Sequence, residues 1–259
     1  MKVIAIANQK GGVLKTSASV NLGVGLALQE KKVLICDSDP QGDCTTSLGW
    51  PDNDSLSVTL ATLMEKVIND DPIDPQEGVL HNAEGVDLVP ANMELSGMEV
   101  ALVGAMSREF VLRRYLEKVK QAYDYVILDC MPSLGMLTIN ALAAADCVIV
   151  PVQAQYLPAK GFTQLLKTIT KVKKQINPGL RIDGILMTLV DSRTNLARAT
   201  EDTLRQQYGN HLRIYDTKIP VSVRAAEASA AGQSIFVYDP GSRVAEAYAD
   251  LARTVSDGD

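Results

Sequence analysis

Short apolar runs alternate along this chain with longer stretches whose apolar positions recur every three or four residues. The runs KVIAIAN (2–8), KVLICD (32–37), VDLVPA (86–91), YVILD (125–129), CVIVPV (147–152) and IDGILMTLV (182–190) predict strands. Several are almost unbroken apolar sequence, as expected for strands covered on both faces of a parallel sheet. Helical periodicity fills the intervals at 15–30, 107–121, 161–175, 197–209 and 242–255. Strands alternating with helices imply right-handed βαβ units and an α/β fold, a doubly wound, mostly parallel sheet with helices on both faces. The turn-rich stretches WPDNDS (50–55) and NDDPIDPQEG (69–78) read as surface loops. With no internal repeat and no low-complexity linker, residues 1–259 are expected to form a single domain.

Composition narrows this little. Apolar residues make up 46% of the 259 and charged residues 22%, ordinary for a water-soluble globular chain. The start MKVIAIANQKGG has too short an apolar stretch for a signal peptide and no cleavage pattern. No apolar run approaches the ~20 residues of a membrane span. Cys36, Cys44, Cys130 and Cys147 are scattered in or beside apolar runs, which suits reduced thiols in a cytoplasm.

Charge is more informative because it is uneven. The net charge is −6, yet residues 160–224 hold 12 Lys/Arg against 5 Asp/Glu, a surplus of +7. The remainder carries 13 basic and 26 acidic residues, or −13. A basic segment on an acidic body can bind polyanions locally, although a solvated helical face explains the same charges equally well.

The chemistry is concentrated where predicted strands end, the place where open α/β sheets bind ligands. After the first strand comes NQKGGVLKTS (8–17). It departs twice from the pattern G-x-x-x-x-G-K-[ST], since Gln9 and Leu14 stand where glycines are expected. Backbone N–H groups from Gly11 through Gly12, Val13 and Leu14 to Thr16 can still converge on phosphate oxygens at the start of a helix. Lys15 would neutralise β- and γ-phosphate charge, the Thr16 hydroxyl would ligate Mg²⁺, and Ser17 would reach the α-phosphate. After the second strand, Asp37 and Asp39 of ICDSDPQGD (35–43) can orient a water or hold hydrated Mg²⁺. Asp129 ends the fourth predicted strand, where P-loop NTPases place a metal-supporting carboxylate. Each feature alone has a bland reading: a glycine turn, acidic loop residues, a helix cap. Their coincidence at three strand ends points to nucleotide binding.

These residues give the chain a family likeness. KGGVLKT (10–16) resembles the KGGVGKT of ParA/Soj partition ATPases, in the deviant Walker A superfamily with MinD. DSDPQGD (37–43) and YDYVILDCMPSLG (123–135) resemble that family's DLDPQGN and YDYIIIDCPPSLG. The resemblance continues through LTINALAAADCVIVPVQAQY (137–156), DSRTNLAR (191–198) and EASAAGQSIFVYDP (227–240), and so covers nearly the whole chain. Without an N-terminal helix-turn-helix extension, the sequence resembles the short, chromosomal-type branch.

The resemblance implies a P-loop ATPase that binds ATP or ADP with Mg²⁺, forms a homodimer around ATP, binds DNA without sequence preference and hydrolyses slowly. It implies a ParB/Spo0J-like centromere-binding partner and a cytoplasmic, nucleoid-associated location. Lys10 would be the signature lysine reaching across the dimer. Asp39 would position the attacking water, with Asp37 beside it; Thr16, Asp39 and Asp129 would serve the metal. Adenine is expected between Met187 and Pro220, the latter in a turn at KIPVSV (218–223). The DNA-binding candidates are Arg193, Arg198 and Arg224, assisted by Lys171, Lys173 and Lys174. Val221 replaces an arginine of the family's I-P-R-N-V-R pattern, which implies lower or redistributed DNA affinity.

Leu14 is the departure that matters most. The family has glycine there, and leucine is strained if φ is positive. Its side chain would also occupy space needed by a partner's phosphate loop. The alternative expectation is therefore a nucleotide-binding variant deficient in dimerisation or hydrolysis. A MinD-like positioning ATPase is disfavoured because the tail AEAYADLARTVSDGD ends acidic rather than as a basic amphipathic helix, so no membrane docking is expected. An iron protein like that of nitrogenase would need matching cluster cysteines, which Cys130 and Cys147 do not provide. A dethiobiotin-synthetase-like ligase is disfavoured by the motifs beyond the loop.

Overall fold

The computed structural model describes residues 1–154 and 159–258. Gln155 and Tyr156, the end of one family-like motif, lie outside them. Eight strands form one sheet in the order β3-β4-β2-β5-β1-β6-β7-β8. They are β1 (Lys2–Ile6), β2 (Val33–Ser38), β3 (Leu80–His81), β4 (Val86–Val89), β5 (Tyr125–Cys130), β6 (Cys147–Gln153), β7 (Arg181–Val190) and β8 (Ile214–Pro220). All neighbouring pairs are parallel except the short antiparallel β3–β4 pair at one edge.

The period-two alternation of each strand divides its side chains between two cores. Val3 and Ala5 of β1, Leu34 and Cys36 of β2, and Val126 and Leu128 of β5 face one side. There they meet α3 (Leu60–Ile68), α4 (Leu95–Gly104), α5 (Val111–Val119), α6 (Met136–Ala144), α7 (Ala159–Gln175) and α8 (Asn195–Tyr208). Ile4 and Ile6, Val33 and Ile35, and Tyr125 and Ile127 face the other side. That core is closed by α1 (Lys15–Ala27), α2 (Asp43–Ser47), α9 (Val223–Ala230), α10 (Ile235–Tyr238) and α11 (Arg243–Asp257). The four cysteines are free and buried in these cores.

All six expected strands are present. Two more escaped the pattern, each for a physical reason. β3 spans two residues, too few to show alternation. β8 is a sheet edge with exposed Asp216 and half-buried Lys218, so polar residues interrupt its apolar face. The expectation of a turn from 218 is corrected, because the strand runs on through fully buried Ile219 to Pro220. An edge tolerates proline, which has no N–H for the ladder.

Candidate functional site

β1 lies at the centre of the sheet, with β5 on one side and β6 on the other. The connections diverge here: β1 leads to β2 on the β5 side, whereas β5 leads across to β6. Such a switch point opens a crevice at the carboxyl ends of the strands. The loop from β1 to α1 fills its floor, and two buried polar side chains fasten it. Asn8 donates from Nδ2 to the Pro151 carbonyl of β6 at 2.6 Å, and its Oδ1 accepts from Lys10 N at 3.0 Å. Thr188 of β7 donates to the Val13 carbonyl at 3.1 Å. Neither Asn8 nor Thr188 was among the sequence candidates. Asn8 was visible only as a polar residue ending an apolar run.

Gly12 has φ of 70° and Leu14 has φ of 63° with ψ of 37°. Left-handed residues of this kind are a component of anion-binding nests, in which successive N–H groups turn inward. Gly12 enters that region without penalty; Leu14 does so against the Cβ clash that normally excludes leucine. The Leu14 side chain is half-buried against the core beneath α1 and also borders the cleft. Val13 is buried beneath the loop.

Strand parity decides where the carboxylates point. Asp37 and Asp129 are register partners on β2 and β5. They share the face of Ile35 and Ile127, the α1 side. Asp129 accepts from Thr16 Oγ1 and Ser19 Oγ of α1, both at 2.8 Å. Asp37 accepts from the Thr45 hydroxyl at 2.7 Å, from Thr45 N at 2.9 Å and from Asp39 N at 3.2 Å. Ser19 and Thr45 are further site residues that sequence reasoning missed, since hydroxyls inside helices carry no motif signal.

Burial pushes the Asp37 carboxyl up, and repulsion from Asp129 adds to it. Burial also pushes Asp129 up, against the hydroxyls of Thr16 and Ser19. Asp39 is raised by partial burial and opposed by the Gln41 N–H and Lys15. Lys15 is lowered by burial, with Asp129 and Asp39 opposing the shift. Its Nζ lies 3.4 Å from the Lys10 carbonyl. Lys15 is thus a largely buried cation on the cleft wall, its charge supported by Asp129 and Asp39.

Gly11, Gly12, Lys15, Thr16, Ser17 and Asp39 border one cleft of about 520 Å³, completed by Asp43, Pro132 and Ser229 among others. Its chemistry suits a hard, oxygen-seeking cation shared with a phosphorylated ligand: Thr16 and Asp39 on its wall, and Asp129 bonded behind Thr16, offer only oxygens. Among the described residues no group of three or more His, Cys, Asp and Glu forms a self-sufficient metal cage. Mg²⁺ ordinarily takes one or two carboxylates and completes its shell with phosphate and water. Lys10 precedes the cleft-lining Gly11, and its Nζ lies 3.0 Å from Gln153 Oε1.

The remaining candidates fall elsewhere. Pro220 lines a neighbouring hollow of about 340 Å³ with Val190, Asp191, Arg193 and Val244 among others. Met187 does not reach it; its side chain is fully buried in the core, so packing occupies it. The six basic candidates do not form one patch. Arg193, Arg198 and Arg224 follow the carboxyl ends of β7 and β8. Lys171 lies twelve residues into α7, about 18 Å along the helix, and Lys173 and Lys174 occupy its last turn. Because α7 returns toward the start of β7, these lysines sit at the opposite end of the sheet. Arg193 is held by Asp191 at 2.9 and 3.0 Å, and Arg224 by Glu227 at 3.3 Å.

Comparison with known proteins places this architecture. A family model described as an AAA domain matches residues 1–182. The sporulation initiation inhibitor protein Soj of Bacillus subtilis is 46% identical over 255 residues, 98% of each chain. The chromosome partitioning protein ParA of Caulobacter vibrioides is 39% identical, covering 98% of this chain and 94% of its own. A solved structure titled cobyrinic acid a,c-diamide synthase from Mycobacterium smegmatis, with bound ADP and magnesium, is 37% identical with a TM-score of 0.86. It covers 98% of this chain and 94% of that one.

Proposed function

Because the chain belongs to the ParA/Soj family of partition ATPases, we propose that it binds ATP with Mg²⁺, dimerises around it, binds DNA without sequence preference and hydrolyses ATP slowly. The observation that carries this reading is the convergence of Lys15, Thr16 and Asp39 on one cleft beside the β1–α1 loop, with buried Asp129 bound to Thr16 behind its wall. Both a magnesium-bound diphosphate and its triphosphate precursor match that donor set.

In this mechanism the loop N–H groups from Gly11 to Thr16 bind the phosphate chain, and Ser17 contacts its α-phosphate end. Lys15 faces the β- and γ-phosphates, and its partial burial strengthens that attraction. Thr16, Asp39 and Asp129 are the residues that would hold Mg²⁺, Thr16 through its hydroxyl and the two aspartates through carboxylate oxygens. When bound, Mg²⁺ would supply neutralisation of the phosphate charge. Asp39 holds the attacking water in line, and Asp37 braces the loop through its bond to Asp39 N. Lys10 supplies the second cation to the partner protomer's phosphates, where charge spreads in the transition state. Adenine occupies the hollow beside Pro220.

Around this cycle, Arg193, Arg198 and Arg224 form the DNA-facing group, on the same end of the sheet as the nucleotide. Lys171, Lys173 and Lys174 form a separate basic region. A ParB-like partner stimulates turnover, and the protein acts on the nucleoid in the cytoplasm. Among the described residues no helix is long and apolar enough to cross a membrane.

A partition ATPase would transfer the phosphoryl group to water, whereas an ATP-dependent amide-forming synthase would transfer it to a carboxylate. Phosphate release with ATP, Mg²⁺ and DNA, and with no acid acceptor present, separates them. Release is expected; its strict dependence on an added acid would favour the synthase. Asp39→Ala should retain ATP affinity by calorimetry and lose release, and normal turnover by that variant removes Asp39 from the mechanism.

The left-handed Leu14 favours a second reading, in which nucleotide binds but the dimer is weak. Light scattering with ATP and Mg²⁺ should show more dimer for Leu14→Gly than for the natural sequence. Equal dimerisation by both would discard that reading.

A further inference from the structure

Gly135 closes the family-like motif YDYVILDCMPSLG, yet its backbone does not require glycine. Its φ of −75° and ψ of −171° are extended values open to any residue. The requirement is space. A Cβ at position 135 would stand 2.5 and 2.8 Å from the two carboxylate oxygens of Glu99.

Glu99 belongs to α4 and reaches across to the start of α6. Its Oε2 accepts from Met136 N at 2.8 Å, and its Oε1 from Leu137 N at 3.1 Å. α6 has no side-chain cap of its own, and its first turn carries no acidic residue. Glu99 therefore supplies, from a different helix, both the acceptors and the negative charge that a helix N-terminus favours. The segment before α6 is pinned from within as well. Gly135 N donates to Ser133 Oγ at 3.3 Å, and Thr138 Oγ1 donates to the Ser133 carbonyl at 2.9 Å.

This segment is the short passage from Asp129 to Met136. One end is fixed by Thr16 and Ser19 on Asp129, the other by Glu99. Between them Pro132 borders the nucleotide cleft opposite Lys15, Thr16 and Asp39. Among the described residues none from α4 lines that cleft.

We infer that Glu99 is a positioning residue: by anchoring the N-terminus of α6 it sets the 130–135 segment against the cleft, and so makes ATP turnover depend on the placement of α4. This rests on the ATPase reading above. Gly135 is the space that admits the carboxylate, so Gly135→Ala should dislodge Glu99 and reproduce its loss.

The test is a double-mutant cycle of Glu99→Ala and Gly135→Ala, with Glu99→Gln as the conservative variant. Two charge-assisted bonds are lost, so each single alanine variant should lower kcat about tenfold. KM for ATP and calorimetric affinity for ADP–Mg²⁺ should stay within about twofold. The double variant should be no slower than the slower single, because both remove one shared interaction. Glu99→Gln should recover part of the rate. An unchanged kcat, multiplicative losses in the double variant, or a fall in ADP affinity parallel to kcat would overturn the inference. Absence of phosphate release by the unaltered chain would instead sink the ATPase reading. Deuterium exchange then decides the role of Glu99 without turnover: ADP–Mg²⁺ should protect residues 130–137 in the natural chain and fail to do so in Glu99→Ala. Equal protection in both would end the proposal.

Discussion

Asp37 and Asp129 stand side by side at the ends of two strands, both fully buried, with hydroxyls and N–H groups as their immediate partners. Burial raises both, so the folded chain holds protons that the unfolded chain has released. The sign follows from linkage: a carboxyl raised on folding stabilises below its unfolded value, and that contribution is lost as pH rises through the folded one. Without ligand, folding stability, and with it the melting temperature, should therefore fall with rising pH, up to about pH 6 through Asp129 and up to about pH 8 through Asp37, by at most ~1.4 kcal/mol per pH unit for each group while it titrates. Asp37→Asn should flatten the profile. Mg²⁺ with nucleotide should flatten it too, because the cation replaces the protons. Scanning calorimetry across this range checks the slope, and a stability that climbs with pH would contradict it. The motif DSDPQGD marks Asp37 and Asp39 in sequence, but not the roles of Thr45 and Ser19, which depend on α2 and α1 packing beside β2 and β5.

At the scale of elements, the β1–α1 loop is tied to its neighbours by bonds to β6 and β7. From an enclosed position Asn8 carries the bond to β6 and also accepts from Lys10 N within the loop. Asn8→Ala should leave the Pro151 carbonyl unsatisfied and cost about 1–3 kcal/mol in urea unfolding. The same variant should bind ADP more weakly, since the loop loses its anchor; a loss of stability with unchanged affinity would separate the anchor from the site. The helix α7 shows the converse, a clear sequence signal whose placement is not legible. Phe162, Leu165, Ile169 and Val172 form its buried stripe, so the helix was evident from periodicity. Which end of the sheet receives Lys171, Lys173 and Lys174 follows only from the direction in which α7 returns to β7.

For the whole molecule, the uneven charge read from the sequence resolves into two regions. Most acids of the basic segment are spent on local pairs: Asp183 near Arg181, Asp191 with Arg193, and Glu201 with Arg205 and Lys218. Arg198 makes no ion pair among the described residues, and neither do Lys171, Lys173 and Lys174. DNA retention should fall steeply with salt, because it rests on phosphate contacts and counterion release. Arg198→Glu should weaken it more than Lys173→Glu if DNA lies on the nucleotide end of the sheet, and ATP should strengthen both through two-site avidity. Filter binding at low and high salt reads all three. Retention indifferent to salt would remove the electrostatic account.

The sequence by itself determined the α/β class, because unbroken apolar runs cannot avoid burial on both faces. It also determined the loop, the acidic strand ends and the family, because local spacing is all that these require. The tertiary structure alone decided what depends on distant residues meeting. It turned Asp37 and Asp129 to one face through their register and gave Leu14 its left-handed backbone. It enclosed Met187, extended the edge strand through Pro220, and sent the basic candidates to opposite ends of the sheet. It also brought Glu99 to α6, which explains a glycine whose own dihedrals ask for none. Period and spacing are properties of neighbours in the chain, whereas contact across a sheet or between helices is fixed only when the whole core closes.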